Sequence, residues 1–250
     1  MGGCCGCFHD RKPPRENPMA MHQEQLIRRG SSAANYPYPA PMVAYSEGLG
    51  AAERLKAGFR TFKKNIYDQN PKLFGQLKSA QSPKYMVFAC SDSRVCPSVT
   101  LDLKPGEAFT VRNIASLVPA YKQASRPRFL AWYRALNFPG TALVECIVVI
   151  GHSCCGGIRA LLSLKEDRPH TYFIENWVKI GLDIKKKVER IHGFLPFDEQ
   201  CTKMEIEAVN LSLRNLKTYP FVMDRLAKGT LKLIGARYDF VCGTFQTWNA

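Results

Sequence analysis

The run Cys90-Ser91-Asp92-Ser93-Arg94, answered far downstream by His152-Ser153-Cys154-Cys155, holds the side chains best suited to chemistry. Two thiolates and one imidazole, from Cys90, Cys155 and His152, make a zinc donor set that leaves a fourth position for water, as catalytic zinc sites require. Binding there needs both thiols deprotonated. Asp92 and Arg94, at alternate positions beside the first ligand, supply an acceptor and its charge partner, joined by a charge-assisted, bidentate pair. Inert buried thiols are the plain alternative, and the imidazole and acid–base pair alongside weigh against it. A redox or zinc-storage cysteine module would leave Asp92 and Arg94 without a task.

Both clusters directly follow short apolar runs, Tyr85–Ala89 and Cys146–Ile150, which read as buried strands. In a parallel α/β sheet, functional groups gather beyond the carboxyl ends of strands, so two neighbouring strands would bring the three donors together. Further strands are expected at Glu107–Arg112, Leu231–Ile234 and Tyr238–Val241. Leu49, Ala52, Leu55, Phe59, Phe62 and Ile66 recur at the spacing of an amphipathic helix. Gly156 and Gly157 open a short helix through Leu164. Phe173, Trp177, Ile180, Ile184, Val188 and Ile191 stripe one longer helix, with Phe173 and Trp177 as core residues. Others are expected over Glu199–Lys217 and from Pro220 to Gly229, a glycine suited to a left-handed helix cap. Strands alternating with helices imply an α/β fold: a mainly parallel central β-sheet flanked by helices, with an amino-terminal helical arm. Residues 1–45, rich in proline, read as a disordered arm, and 46–250 as a single zinc-binding domain.

Five blocks carry a family resemblance: Ala89-Cys90-Ser91-Asp92-Ser93-Arg94-Val95-Cys96-Pro97-Ser98, Pro105-Gly106-Glu107-Ala108-Phe109, Val111-Arg112-Asn113-Ile114-Ala115, Gly151-His152-Ser153-Cys154-Cys155-Gly156-Gly157-Ile158 and Phe173-Ile174-Glu175-Asn176-Trp177-Val178-Lys179-Ile180-Gly181. In this order they resemble the β-class carbonic anhydrases, and the wider sequence looks like the plant type. The resemblance implies Zn2+ held by Cys90, His152 and Cys155. It also implies reversible hydration of carbon dioxide to bicarbonate and a proton, through attack by zinc-bound hydroxide. Asp92 would accept a hydrogen bond from that hydroxide, and Arg94 would keep Asp92 ionised and oriented; in the family the aspartate can instead ligate zinc in a closed form. Phe109 and Ile114 match pocket-lining positions, Gln81 a side-chain donor to a substrate oxygen, and Gly156 a backbone contact. The family's active site lies near a subunit interface across which the amino-terminal helix packs, which implies a homodimer. Relatives continue into a longer tail that builds larger assemblies; this chain stops at Ala250, leaving higher oligomers open.

Two departures qualify the resemblance. Val99 stands where the family has a histidine. The segment 125–144 replaces a Gly/Ala-rich helix: Asn137 falls at the family's glutamate, Phe138 at its aromatic partner, and Pro139 inside a helix would cost about 3 kcal/mol. The alternative to an active enzyme is therefore a catalytically impaired relative that serves as a zinc-containing binding or regulatory protein.

The formal net charge of +14 raises the question of nucleic acid. The basic residues are scattered, and runs such as Lys185-Lys186-Lys187 read as solvated helix faces, so no nucleic-acid partner is expected. No apolar run approaches the roughly 18 residues of a membrane span. Ten cysteines without a secretory signal read as metal ligands and buried thiols of a reducing compartment. A cytoplasmic location is expected. Gly2 with Cys4, Cys5 and Cys7 offers a double acylation site, and so a peripheral membrane contact, as an alternative; Gly6 stands where the usual motif has Ser or Thr. Chloroplast import is the other alternative, with Asp10, Glu16 and Glu24 set against a transit peptide.

Overall fold

The computed structural model describes residues 50–124, 144–165 and 173–250. The expected arm 1–45 with its acylation site, and the segment around Asn137, Phe138 and Pro139, lie outside the described residues. The chain divides into two units, one ending at Pro71 and one running from Lys72 to Ala250.

Helix α1 (Ala51–Phe62) continues into a π-helical turn, Lys63–Tyr67. It carries the expected amphipathic stripe, yet none of its residues is buried; Leu55 is 73% and Phe59 63% exposed. No helix among the described residues is long and apolar enough to cross a membrane.

The second unit is built on a five-stranded sheet of order β2-β1-β3-β4-β5, with β1 (Tyr85–Cys90), β2 (Ala108–Asn113), β3 (Cys146–His152), β4 (Lys232–Asp239) and β5 (Thr244–Asn249). The first four strands are mutually parallel, and β5 runs antiparallel along β4. Alternation along β1 turns Met86 and Phe88 toward one apolar cluster and Val87 and Ala89 toward another. Both faces of the strand are covered, which is why β1 and β3 read as continuous apolar runs.

Around the sheet lie α2 (Pro71–Leu77), α3 (Pro97–Thr100), α4 (Tyr121–Ala124), α5 (Gly156–Leu162), α6 (Phe173–Val178), α7 (Leu182–His192), α8 (Phe197–Leu216) and α9 (Pro220–Ala227). The central helix, α8, buries Met204, Ala208, Val209, Leu213 and Leu216. At the end of α9, Gly229 has φ +66°, with its amide on Leu226 O and the Thr230 amide on Arg225 O. That is the expected glycine cap with both of its hydrogen bonds.

Three expectations fail. Residues 173–191 do not form one helix. A 3₁₀ turn, Lys179–Gly181, separates α6 from α7, and a Cβ at Gly181 would come within 2.4 Å of Leu161 Cδ2, so the chain bends where a backbone must approach a side chain. Phe173, expected in the core, is 90% exposed. The strands expected at 231–234 and 238–241 are instead one strand, β4, and the last strand lies further on at β5. Gly235, which falls in the gap between those two expected strands, is a strand position on which the ring of Trp248 rests: a Cβ there would lie 2.4 Å from Trp248 Cε2.

Candidate metal centre

The three expected donors stand where strands end. Cys90 closes β1, His152 closes β3, and Cys155 precedes the first turn of α5. Their ligating atoms all lie within 4.8 Å of one another, and the two Sγ atoms are 3.9 Å apart. All three residues are buried. His152 Nδ1 lies 2.9 Å from Ser153 O; a carbonyl only accepts, so Nδ1 carries the proton and Nε2 the lone pair. That Nε2 is buried without a hydrogen-bond partner. A buried orphan acceptor is costly unless something takes its lone pair. With two thiols facing it, the fitting occupant is a metal ion, since imidazole and thiolate are the donors that soft and borderline metals take.

The electrostatics agree. The Cys155 thiol, donating toward Cys90, brings the Cys90 pKa down to about 4 against the opposing effect of burial, with His152 assisting. Cys155 is pushed strongly up, because it holds its proton against the Cys90 thiolate and is itself buried. Burial pulls the His152 pKa down, but the Cys90 thiolate outweighs it and the net shift is upward. Binding a metal ion needs both sulfurs as thiolates, so it would release protons from this pair.

Asp92 and Arg94 meet in a fork. Arg94 Nε donates to Asp92 Oδ1 at 3.0 Å and Nη2 to Oδ2 at 2.7 Å, while the Arg94 amide also donates to Oδ1 at 2.9 Å. Arg94 holds the Asp92 carboxyl down at about 2. Oδ1 thus has two donors and Oδ2 one, which leaves Oδ2 the oxygen with a lone pair to spare among these contacts.

Several supporting residues were not singled out from the sequence. Arg112, on β2, donates to Cys90 O at 2.9 Å and Asp92 O at 2.5 Å, tying down the first ligand loop. Behind the second loop, Arg237 donates twice to Glu205 Oε2, at 3.0 and 2.8 Å, and once to Asp239 Oδ2 at 3.1 Å. Burial raises the Glu205 pKa against the pull of Arg237, and the Cys155 amide also points to this carboxylate. The Ser153 amide donates to Tyr238 O at 3.0 Å, so β4 fixes the loop in register beyond His152. These residues looked like ordinary charges in a helix and two strands; only the blocks flanking the ligands hinted at Arg112.

The backbone is strained on both sides of the donors. Cys154 has φ +52°, and Ala115 and Ser116 have +60° and +57°. Such non-glycine residues cost of order 1–3 kcal/mol each and persist only where surroundings hold them. Here Ser116 Oγ donates to Ile150 O at 2.6 Å, Ser212 Oγ donates to Ser116 O at 3.3 Å, and Trp177 Nε1 donates to Ile114 O at 2.9 Å. Trp177 is thus an anchor of this loop and packs against the cluster containing Cys90 and Cys155.

Of the four expected substrate positions, the fold brings two to the donors. Ile114 packs against the Cys90–Cys155 cluster, and Gly156 follows Cys155 directly. Phe109 pairs with Met86, four residues before Cys90. At about 3.3 Å per residue it lies some ~13 Å back along the strand. Gln81 is exposed and precedes the amino end of β1, at the opposite end from Cys90. Within one chain these two do not join the site.

Comparison with known proteins agrees with this geometry. A family model described as carbonic anhydrase matches residues 85–245. The chain is 49% identical over 207 residues to Beta carbonic anhydrase 3 of Arabidopsis thaliana, covering 82% of this chain and 79% of that one. Among solved structures, the β-carbonic anhydrase CcaA aligns with a TM-score of 0.69 at 30% identity, over 79% of this chain and 87% of that chain. A Coccomyxa β-carbonic anhydrase, solved in complex with acetazolamide, shares the fold with a TM-score of 0.68 at 22% identity, over 81% of this chain and 90% of its own. With the donors, their fork-bound carboxylate and the sheet that carries them already in place, these matches show that the chain belongs to the carbonic anhydrase family, β class, and is a carbonic anhydrase.

Proposed function

We propose that this chain catalyses the reversible hydration of carbon dioxide to bicarbonate and a proton with one Zn2+ held by Cys90, His152 and Cys155. The observation that carries the reading is the buried, unpartnered His152 Nε2 facing two thiols, with the Asp92–Arg94 fork beside them. Two sulfurs and one imidazole suit zinc and leave an open coordination position. Zinc would supply Lewis acidity that makes a water nucleophilic near neutral pH.

The chain's own residues do the rest. Arg94 keeps Asp92 ionised and fixes the plane of its carboxylate, so Oδ2 can accept a hydrogen bond from the attacking water and aim the remaining lone pair at carbon. Ile114 offers an apolar wall to a neutral linear substrate. Gly156, with no side chain, leaves the approach to Cys155 open; nothing lies within 4 Å of where its Cβ would be.

Gln81 and Phe109 enter this reading through a second copy. Their place at the amino ends of β1 and β2 supports a homodimer in which each chain lends them to its partner's site. Light scattering should give twice the chain mass; a monomer with full activity would remove this part of the reading.

Stopped-flow hydration on metal-analysed protein tests the whole. The native chain should hold one zinc and hydrate carbon dioxide, and Cys155→Ala should lose most of both. A native chain that is fully zinc-loaded yet inactive would establish the binding or regulatory reading instead. Full zinc occupancy in Cys155→Ala would overturn the ligand assignment.

A further inference from the structure

Arg94 poses a physical problem that its fork alone does not solve. Its side chain is 50% exposed while that of Asp92 is 17% exposed. An ion pair that open to water contributes little, and a long side chain gives up rotamer freedom to hold it. Asp92 can be an aimed acceptor only if Arg94 stays in one place. The edge of the guanidinium is used by Asp92, and Nη2 also reaches Cys154 O at 3.4 Å. Its face lies on an aromatic ring: Cζ is 4.3 Å from the centroid of Phe240.

Phe240 is well placed to act as a seat. It is the first residue after β4, and its amide donates to Ser153 Oγ at 3.1 Å, between the ligands His152 and Cys155. Its ring is 6.1 Å from the ring of His152 and 6.4 Å from that of Tyr238. It packs against the apolar cluster that includes Cys90 and Cys155. Phe240 is therefore tied to the second ligand loop by its amide while its ring carries the arginine of the first loop. A ring face attracts a guanidinium through its quadrupole, and this attraction strengthens as water is excluded.

We propose that Phe240 is a positioning residue of the reaction, its ring seating Arg94 so that the arginine holds Asp92 in its working orientation. The inference rests on the roles given above to Asp92 and Arg94. It makes a prediction that mere packing does not: the effect of removing the ring must pass through Arg94.

The test is a cycle of Phe240→Leu, Arg94→Ala and the double variant, with Phe240→Tyr as the conservative control and Phe240→Met as a second ring-free variant should Phe240→Leu fold poorly. Each is read by kcat and KM for carbon dioxide hydration, zinc content and melting temperature. Phe240→Leu or Phe240→Met should keep its zinc and lower kcat about two- to fivefold, the size of a partly exposed cation–π contact. Phe240→Tyr, which keeps the ring face, should recover the native rate. In the Arg94→Ala background Phe240→Leu should cost nothing further, because the group it seats has gone. In metal-free protein, the Arg94 Nε proton held on Asp92 should exchange with solvent faster in Phe240→Leu than in the native chain. Losses that multiply in the double variant, or a native rate in both ring-free variants, would overturn the proposal. The underlying reading fails separately: that happens if Arg94→Ala alone keeps the native rate.

Discussion

Replacing Arg237 by methionine should weaken the protein in a way that depends on pH, and the dependence follows from burial. The Glu205 side chain is 2% exposed and that of Arg237 11%, with Oε2 taking two of the arginine's hydrogen bonds. Removing one member of a buried pair strands the other as an uncompensated charge, at a cost of about 3–5 kcal/mol. For a chain of this size, roughly 2–4 °C of melting temperature per kcal/mol makes the shift about 6–20 °C. The Glu205 carboxyl already has its pKa raised by burial, against the pull of Arg237; without Arg237 it rises further. A group whose folded pKa lies above its unfolded value of 4.5 contributes its full stability below that value and loses it as pH rises through the folded pKa. The penalty should therefore be largest near pH 8 and shrink as the pH is lowered toward the unfolded value of 4.5, as the stranded carboxyl takes up a proton. Urea unfolding of variant and native chain in the presence of chelator, at both pH values, measures it. Combining Arg237→Met with Glu205→Gln should regain most of the loss, since no charge is then left buried. A deficit under about 1 kcal/mol at the higher pH, or one that grows on acidification, would refute the reasoning, because either would mean that Glu205 is solvated in the folded protein.

Asp92→Asn and Arg94→Ala should both keep zinc while losing on the order of a hundredfold in kcat, the scale of a misaligned attacking group; metal analysis beside stopped-flow rates checks this. Because Arg94 holds Asp92 at about 2, below its ordinary 3.8, the stability gained from the ionised carboxylate is complete above 3.8 and is lost as pH falls through about 2. The pH–rate profile should accordingly show no inflection from Asp92 above about pH 4, and one that vanished in Asp92→Asn would contradict the pairing. Gly157→Ala should cost about 1–3 kcal/mol by overpacking, since its Cβ would fall 2.6 Å from Ile114 Cγ2 and 3.0 Å from Ala115 Cβ; thermal melting measures it, and an unchanged melting temperature would show that the strained loop can yield.

The donors were readable in the sequence because few residue types can bind a metal, and those types followed apolar runs that could hardly be anything but strands. Asp92 and Arg94 were readable for the same reason, as an acid and a base set beside a ligand with no structural excuse. What positions them was not. Glu205 sits in α8 as one of several acidic residues, and nothing local distinguishes it from Glu207, whose Oε1 pairs with Lys187 at 2.8 Å. Arg237 sits in a strand next to Gly235 and Ala236, a stretch that reads as a break between two short strands. The missing information is non-local in both cases. Gly235 belongs in the strand because Trp248 covers it, and Trp248 is held there by its Nε1 donating to Asn210 Oδ1 on α8 at 2.9 Å. The same α8–β4 contact that makes room for a glycine brings Glu205 beside Arg237, the first five residues before Asn210 in the helix and the second two strand residues after Gly235. Once β4 is read as one strand through Asp239, the rest follows from alternation and register. His152 pairs with Tyr238, Arg237 turns to Glu205, and Phe240 emerges at the carboxyl edge beside the ligand loop. Misplacing that single strand therefore hid the whole support of the second ligand loop, while leaving the ligands themselves in plain view.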